Sequence, residues 1–217
     1  MISISHPRPA RDRELVQILD AALADATRRS GDFLVCHPGC TPCCVGAFAI
    51  NQLDAARLRE GLAELTHSDP NCAARVRRRA QESVARIASD FPGELTTGLL
   101  CESKRAQRKF EDFANHEPCP ALDPATGTCD LYAHRPMTCR VFGPPVRSAG
   151  EDGESAGLGV CELCFHGATD EQIAVCEMQV DPDGLESQLL EQLESESGSK
   201  GRTIVAFCLA QVPESAV

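Results

Sequence analysis

The sequence has no tryptophan, a single tyrosine and eight phenylalanines in 217 residues. Leu, Ile, Val and Phe together number 48, about 22% of the chain, which is close to the level below which charged chains stay unfolded. We therefore expect a thin apolar core that is not held together mainly by aromatic packing. The length suits one ordinary domain, and we take 1–217 as a single domain.

Basic residues are also in deficit, since 21 Lys and Arg stand against 32 Asp and Glu, for a net charge of -11. Such a balance argues against a nucleic-acid partner. The basic run RVRRR at 75–79 has no interleaved aromatic residues, and we interpret it as a solvated helix face.

Long apolar runs are missing too, both at membrane-span length and, near residue 1, at signal-peptide length. The chain is therefore expected to be cytoplasmic, without a membrane partner. No G-x-S-x-G elbow, Walker loop or G-x-G-x-x-G occurs, so nothing supports serine hydrolysis or nucleotide binding. The sequence specifies neither a catalytic residue nor a protein partner.

Cysteine, in contrast, is abundant, with 13 residues. The count is odd, Cys43 and Cys44 are adjacent, and the cytosol is reducing, so a disulfide framework is disfavoured. Nine cysteines fall in three short segments, and these are the candidate metal ligands: Cys36, Cys40, Cys43, Cys44, Cys119, Cys129, Cys139, Cys161 and Cys164. The isolated cysteines are expected to be buried as small hydrophobes: Cys72, Cys101, Cys176 and Cys208.

The segment CHPGCTPCC at 36–44 shows why metal binding is favoured, since Pro38, Gly39 and Pro42 force turns that bring thiols together. Thiolates on a tight loop suit soft cations such as zinc or the iron of a cluster. Nine thiols exceed the needs of one four-coordinate ion, so there are either two sites or one cluster with additional thiols. Spacing alone leaves zinc and iron-sulfur open, and the crowding favours 4Fe-4S slightly.

Two further interpretations concern the ligand set. Histidines near the cysteines are candidates to complete a Cys3His site: His37, His116, His134 and His166. The spacing of Cys36, Cys40 and Cys43 matches a radical-SAM motif, but the extra Cys44 and the lack of a repeating strand and helix pattern argue against that chemistry.

Apolar periodicity predicts a mainly α fold. Helices are expected over 11–30, 51–65, 69–91, 101–114, 169–176 and from about 185. The cysteine-rich segments 36–44 and 115–168 are expected to be a loop-rich metal centre, with a small β-hairpin flanking the glycine-rich RSAGEDGESAGLG. Residues 195–202 are expected to form a linker. The closing TIVAFCLA at 203–210 is too short to distinguish a strand from a helix, and Thr203 is a candidate helix cap.

The cysteine pattern resembles the YkgJ-type cysteine-cluster family, to which zinc or iron chelation is ascribed. The shared signature is a first group ending in CC, then CP, then C-x-x-Y-x-x-R-P-x-x-C-R. Its positions in this sequence are Cys40, Cys43, Cys44, Cys119, Pro120, Cys129, Tyr132, Arg135, Pro136, Cys139 and Arg140. The resemblance implies that Cys36, the signature cysteines and one late cysteine, Cys161 rather than Cys164, are ligands.

The signature's other residues suit the surroundings of an anionic metal-thiolate centre. Arg135 and Arg140 flank Cys139 and are expected to neutralise its charge, and Tyr132 is expected to cover the site. The preferred function is therefore a metal-binding protein that holds zinc or an iron-sulfur cluster. The alternative is an iron-sulfur enzyme or redox protein that modifies proteins, as the distantly similar flagellin lysine methylases do.

Overall fold

A computed structural model describes residues 8–37, 39–149, 155–181 and 183–211 of the chain. Some sequence expectations lie outside these residues: the start of the chain, Pro38, the middle of the glycine-rich segment at 150–154, and Pro182.

The described residues form eight α-helices and eight short strands. The helices are α1 (Asp12–Ser30), α2 (Gln52–Ser68), α3 (Pro70–Ile87), α4 (Lys104–Glu111), α5 (Met137–Arg140), α6 (Asp170–Val175), α7 (Leu185–Ser197) and α8 (Val205–Ala210). The strands are β1 (Ala49–Ile50), β2 (Gly93–Glu94), β3 (Leu99–Leu100), β4 (Leu122–Asp123), β5 (Thr128–Cys129), β6 (Val146–Ala149), β7 (Ser155–Gly159) and β8 (Thr203–Ile204). The mainly α fold is confirmed.

Local capping explains where the long helices begin. The Asn51 side chain accepts a hydrogen bond from the N–H of Asp54 at the start of α2, and Asp69 does the same for Cys72 at the start of α3. Each bond satisfies an amide that the helix leaves unpaired, which stabilises a helix by about 1 kcal/mol. Gly31 ends α1 with a φ of 48°, which glycine adopts without strain.

The C-terminal elements agree with the sequence in type and differ in detail. Thr169 and Gln172 form the expected capping box of α6, and α7 runs through Ser197, so it includes the first residues of the segment expected as a linker. The expected cap at Thr203 is wrong. Its hydroxyl donates to the carbonyl of Gly98, and the residue that precedes α8 is Ile204, which forms no side-chain cap.

All sheets are two-stranded and antiparallel. The hairpin of β6 and β7 flanks the glycine-rich segment as expected. Pairs β2–β3, β4–β5 and β1–β8 were not expected, because two-residue strands carry no periodic signal.

The chain divides into two compact units. The first unit contains 8–9, 39–136 and 190–211, and its helices α2, α3 and α8 pack on one another. Its larger core cluster comprises Ile50, Ala55, Leu58, Leu62, Ala73, Val76, Ala80, Ala121, Leu131, Val205, Cys208 and Leu209. Phe91, Phe113 and Phe207 belong to a second cluster, in which the Phe91 and Phe207 rings lie 4.3 Å apart.

The second unit contains the described residues of 10–38 and 137–189. Helix α1 buries Leu15, Leu19 and Ala26, which recur at helical spacing. A separate small cluster is built around Cys164, Phe165 and Cys176. The expectation of one domain over 1–217 stays a prediction.

In the part of the chain that the structure describes, no helix is long and apolar enough to span a bilayer.

Candidate metal centre

Three thiols of the first cysteine segment lie on or just before a 3-10 turn in the first unit. The turn covers Pro42–Cys44, and its N–H of Cys44 donates to the carbonyl of Thr41 at 2.8 Å. Cys40, Cys43 and Cys44 are all partly buried. A hydrogen bond with the Cys44 thiol, together with burial, raises the pKa of Cys43 far above that of a free thiol. The Cys43 thiol is therefore held in its protonated form at neutral pH.

Backbone hydrogen bonds join this turn to the segment that carries Cys119. The N–H of Cys119 donates to the carbonyl of Cys44 at 2.8 Å, and the N–H of Gly46 donates to the carbonyl of Glu117 at 2.8 Å. Val45 and Pro118 form the β-bridge between them. Two signature positions that are 75 residues apart in sequence are thus backbone neighbours.

Cys119 and Cys129 lie on the β4–β5 hairpin, where Leu122 is the register partner of Cys129. Burial raises the pKa of Cys119 to about 12, while hydrogen bonds from the N–H groups of Ala121 and Leu122 act in the opposite direction. Burial also raises the pKa of Cys129, and the N–H of Leu131 opposes that rise. Burial dominates at both sulfurs, so without a metal both thiols are neutral. The thiolate is the form that binds a metal.

The turn of the same hairpin lies against the loop that carries Cys40. A side-chain carbon placed on Gly127 would lie 3.4 Å from the carbonyl oxygen of Gly39 and 3.5 Å from the Thr41 methyl group. Gly127 also has a φ of 69°, so glycine suits this turn for both reasons. The first unit thus groups five of the nine predicted ligands: Cys40, Cys43, Cys44, Cys119 and Cys129.

Arg135 and Tyr132 follow Cys129 on a 3-10 turn. The Arg135 guanidinium stacks over the Tyr132 ring at 4.0 Å and donates to the Tyr132 carbonyl at 2.9 Å. Arg135 is buried and its charge lowers the pKa of Cys129, whereas Tyr132 is 62% exposed. The positive charge therefore lies beside Cys129, and the aromatic ring faces solvent.

A second arginine, which is not part of the cysteine signature, also lies at the hairpin. Arg79, from the basic run on α3, donates to the carbonyl of Pro120 at 2.8 Å and to the carboxylate of Asp130 at 2.6 Å. Its charge opposes the rise that burial causes in the pKa of Cys119 and Cys129. The assignment of the whole run to a solvated face is therefore wrong for Arg79. Helical spacing from Val76 places Arg79 nearer the inner face of α3 than Arg78, but no sequence signal identifies the hairpin as its partner.

Arg140 has a different partner from the one that its position suggests. It is 2% exposed and donates to the carboxylate of Asp20 on α1 at 2.9 Å, within the second unit. Arg140 therefore ties α5, which carries Cys139, to α1.

The second unit holds the other four predicted ligands: Cys36, Cys139, Cys161 and Cys164. Cys161 and Cys164 share a turn in which the N–H of Cys164 donates to the carbonyl of Cys161 at 2.9 Å. Burial raises the pKa of Cys164, and the N–H groups of Val35 and Cys36 act in the opposite direction. As at Cys119, burial dominates and the Cys164 thiol is neutral without a metal.

An aromatic pair covers this turn. The rings of Phe33 and Phe165 stack with centroids 5.9 Å apart, and the N–H of Phe165 donates to the carbonyl of Phe33 at 2.9 Å. Phe165 has a φ of 60°, which is unfavourable for a residue with a side chain. The fold therefore holds the residue after Cys164 in a strained conformation.

Among the four isolated cysteines, three are buried as expected: Cys72, Cys176 and Cys208. Cys176 packs in the cluster of Cys164, a proximity that sequence spacing did not reveal. The expected burial of Cys101 is wrong, because Cys101 is exposed just before the cap of α4.

His134 does not complete a thiol site, because its ring is 3.0 Å from the Glu64 carboxylate on α2. Over the residues that the structure describes, no three His, Cys, Asp or Glu side chains stand in position to hold a metal ion together. What the fold brings close are pairs of thiols on neighbouring backbone segments.

The family model CxxCxxCC, a domain to which zinc or iron chelation is ascribed, matches residues 35–156, more than half of the chain. The chain belongs to the CxxCxxCC family. No curated protein and no solved structure matches it. The CxxCxxCC range includes seven of the nine predicted ligands and ends before Cys161 and Cys164. It confirms the expected family and supports a metal ion as the partner.

Proposed function

We propose that this CxxCxxCC protein binds zinc or iron through the thiolates of its first unit. The ligand candidates there are Cys40, Cys43, Cys44, Cys119 and Cys129. The observation that carries the proposal is the backbone junction of the first loop with the Cys119 segment, in which the N–H of Cys119 donates to the carbonyl of Cys44 at 2.8 Å. A cysteine buried only as a small hydrophobe needs no such junction, whereas a shared metal site needs thiols from both segments close together.

We further propose Cys36, Cys139, Cys161 and Cys164 as ligands in the second unit. The Cys161–Cys164 turn supports this proposal, because the hydrogen bond from the N–H of Cys164 to the carbonyl of Cys161 at 2.9 Å brings two predicted ligands together. Two thiol groups also account for nine cysteines better than a single four-coordinate ion does.

Of the two metals, we favour a 4Fe-4S cluster for the first unit, because its cysteines are more crowded than the paired knuckles typical of zinc sites. Four thiolates around either centre leave a net negative charge. Arg79 and Arg135, both close to Cys129, supply the opposite charge. When bound, the cluster would supply one-electron chemistry, and zinc would supply a structural cross-link. We propose the cytoplasm as the compartment, because free thiols of this number need a reducing environment.

The proposal is tested by purifying the chain without oxygen, measuring zinc, iron and sulfide, and recording the visible spectrum. A brown protein with iron and sulfide supports the cluster, and a colourless protein with zinc supports the ion. The Cys43→Ser variant should lose metal, whereas Cys101→Ser, which changes an exposed thiol of the same unit, should keep it. A chain without either metal, or a Cys43→Ser variant with full metal content, would refute the proposal.

A further inference from the structure

Arg79 lies on the face of α3 that meets the cysteine hairpin. Its side chain is only 18% exposed, although it belongs to a run of basic residues. Its neighbours are engaged elsewhere: Arg77 donates to the Thr66 hydroxyl, and Arg78, 68% exposed, lies 3.9 Å from Glu82. Arg79 therefore differs from the run around it in both burial and partners.

Each acceptor of Arg79 directly follows a predicted ligand in sequence. Nε donates to the carbonyl of Pro120, which follows Cys119, and Nη2 donates to the carboxylate of Asp130, which follows Cys129. The planar guanidinium holds its donors in a rigid fork, so the two bonds set the spacing between the two segments. Arg79 thus ties both ligand-bearing segments to one helix.

The electrostatic setting gives Arg79 a second task. The Asp130 carboxylate is only 13% exposed and directly follows Cys129, and the Arg79 guanidinium pairs with it at 2.6 Å. The pair fixes a positive charge at the residues that directly follow the two predicted ligands.

We propose that Arg79 is a positioning residue of the first thiol group, holding the Cys119 and Cys129 segments at a fixed separation and offsetting the negative charge of bound metal-thiolate. This inference rests on the proposed metal-binding function. It assigns to α3 a part in the site that the cysteine signature does not contain.

The test compares Arg79→Met with Arg78→Met, which removes an exposed arginine from the next position. Zinc affinity of the metal-free, reduced full chain is measured by competition with a chromophoric chelator, and thermal unfolding is followed without zinc. Arg79→Met should bind zinc about 10–100-fold more weakly than the wild type, as is typical when a group that orients metal ligands is lost. Arg78→Met should bind as the wild type does.

Arg79→Lys keeps the positive charge and the pairing with Asp130 but lacks the planar guanidinium that bonds both segments at once. This variant tests the inference if Arg79→Met fails to fold. We expect its zinc affinity to fall several-fold with an unfolding temperature near that of Arg78→Met. Wild-type affinity in Arg79→Lys, or equal affinity in Arg79→Met and Arg78→Met, would overturn the inference while leaving the proposed function intact. A wild-type chain that binds no zinc and carries no iron would refute the proposed function itself.

Discussion

A pair of buried cysteines in the first unit allows metal ligation to be separated from packing. Cys119 packs against the larger core cluster and is a predicted ligand. Cys208 belongs to that cluster, and its thiol donates a hydrogen bond to the carbonyl of Ala55 at 3.4 Å. Changing each to alanine removes the same sulfur atom from the same core. Only the change at Cys119 should affect the response to metal.

The expected magnitudes differ enough to measure. Losing one buried sulfur at Cys208, which is 2% exposed, should cost about 1–2 kcal/mol. In a chain of this length, that lowers the unfolding temperature by about 2–8 °C. Zinc at a thousand times its Kd stabilises a folded chain by about 4 kcal/mol, or about 8–16 °C. If loss of Cys119 weakens binding about a thousandfold, the remaining gain is about 0.4 kcal/mol.

The assay is thermal unfolding of the reduced chain under anaerobic conditions, with zinc and with a chelator. Wild type and Cys208→Ala should show the same large zinc-dependent shift, and Cys119→Ala should lose the part of that shift that comes from the first unit. An equal shift in both variants would mean that Cys119 is only a buried hydrophobe. A lost shift in Cys208→Ala alone would reverse the assignment of the two cysteines.

Two further predictions concern packing and pH. Gly61→Ala on α2 would place a side-chain carbon 2.5 Å from the His134 ring. Because the overpacking exceeds the gain in helix propensity, we expect the free energy of unfolding to fall by about 1–2 kcal/mol in chemical denaturation. A more stable variant would contradict this prediction. Burial raises the pKa of Cys208 from 9.0 to about 11, so the folded chain keeps a proton that the unfolded chain loses. Stability should therefore fall as pH rises from 9 to 11, by at most about 1.4 kcal/mol per pH unit, and Cys208→Ala should lack this part of the fall.

The helices were predictable because their signals are local. Asn51 lies three residues from Asp54, and Asp69 precedes a first-turn proline, so each cap depends only on nearby sequence. The same holds for the capping box of α6. The observed helix ends differ from the predicted ones where the last turn contains no residue that stops a helix. Helix α2, for example, continues to Ser68.

The grouping of the cysteines was not predictable, because it depends on contacts between distant segments. Cys44 and Cys119 are joined by a backbone hydrogen bond across 75 residues, and nothing in their spacing encodes it. Helical spacing from Val76 places Arg79 nearer the buried face of α3 than Arg78, but which segment it meets there depends on how α3 packs. The ligand roles of all nine cysteines stay predictions.

The raised thiol pKa values suggest how a thin core tolerates a metal centre at its edge. Cys119 and Cys129 both pack against the larger core cluster, and burial raises the pKa of each. Without metal at neutral pH, such thiols are neutral and pack as small hydrophobes. Under the proposed function, a metal would supply the positive charge that makes the buried thiolate favourable. The same two sulfurs would then complete the core in one protonation state and offer ligands in the other, so a sequence poor in large apolar residues gains from placing cysteines there.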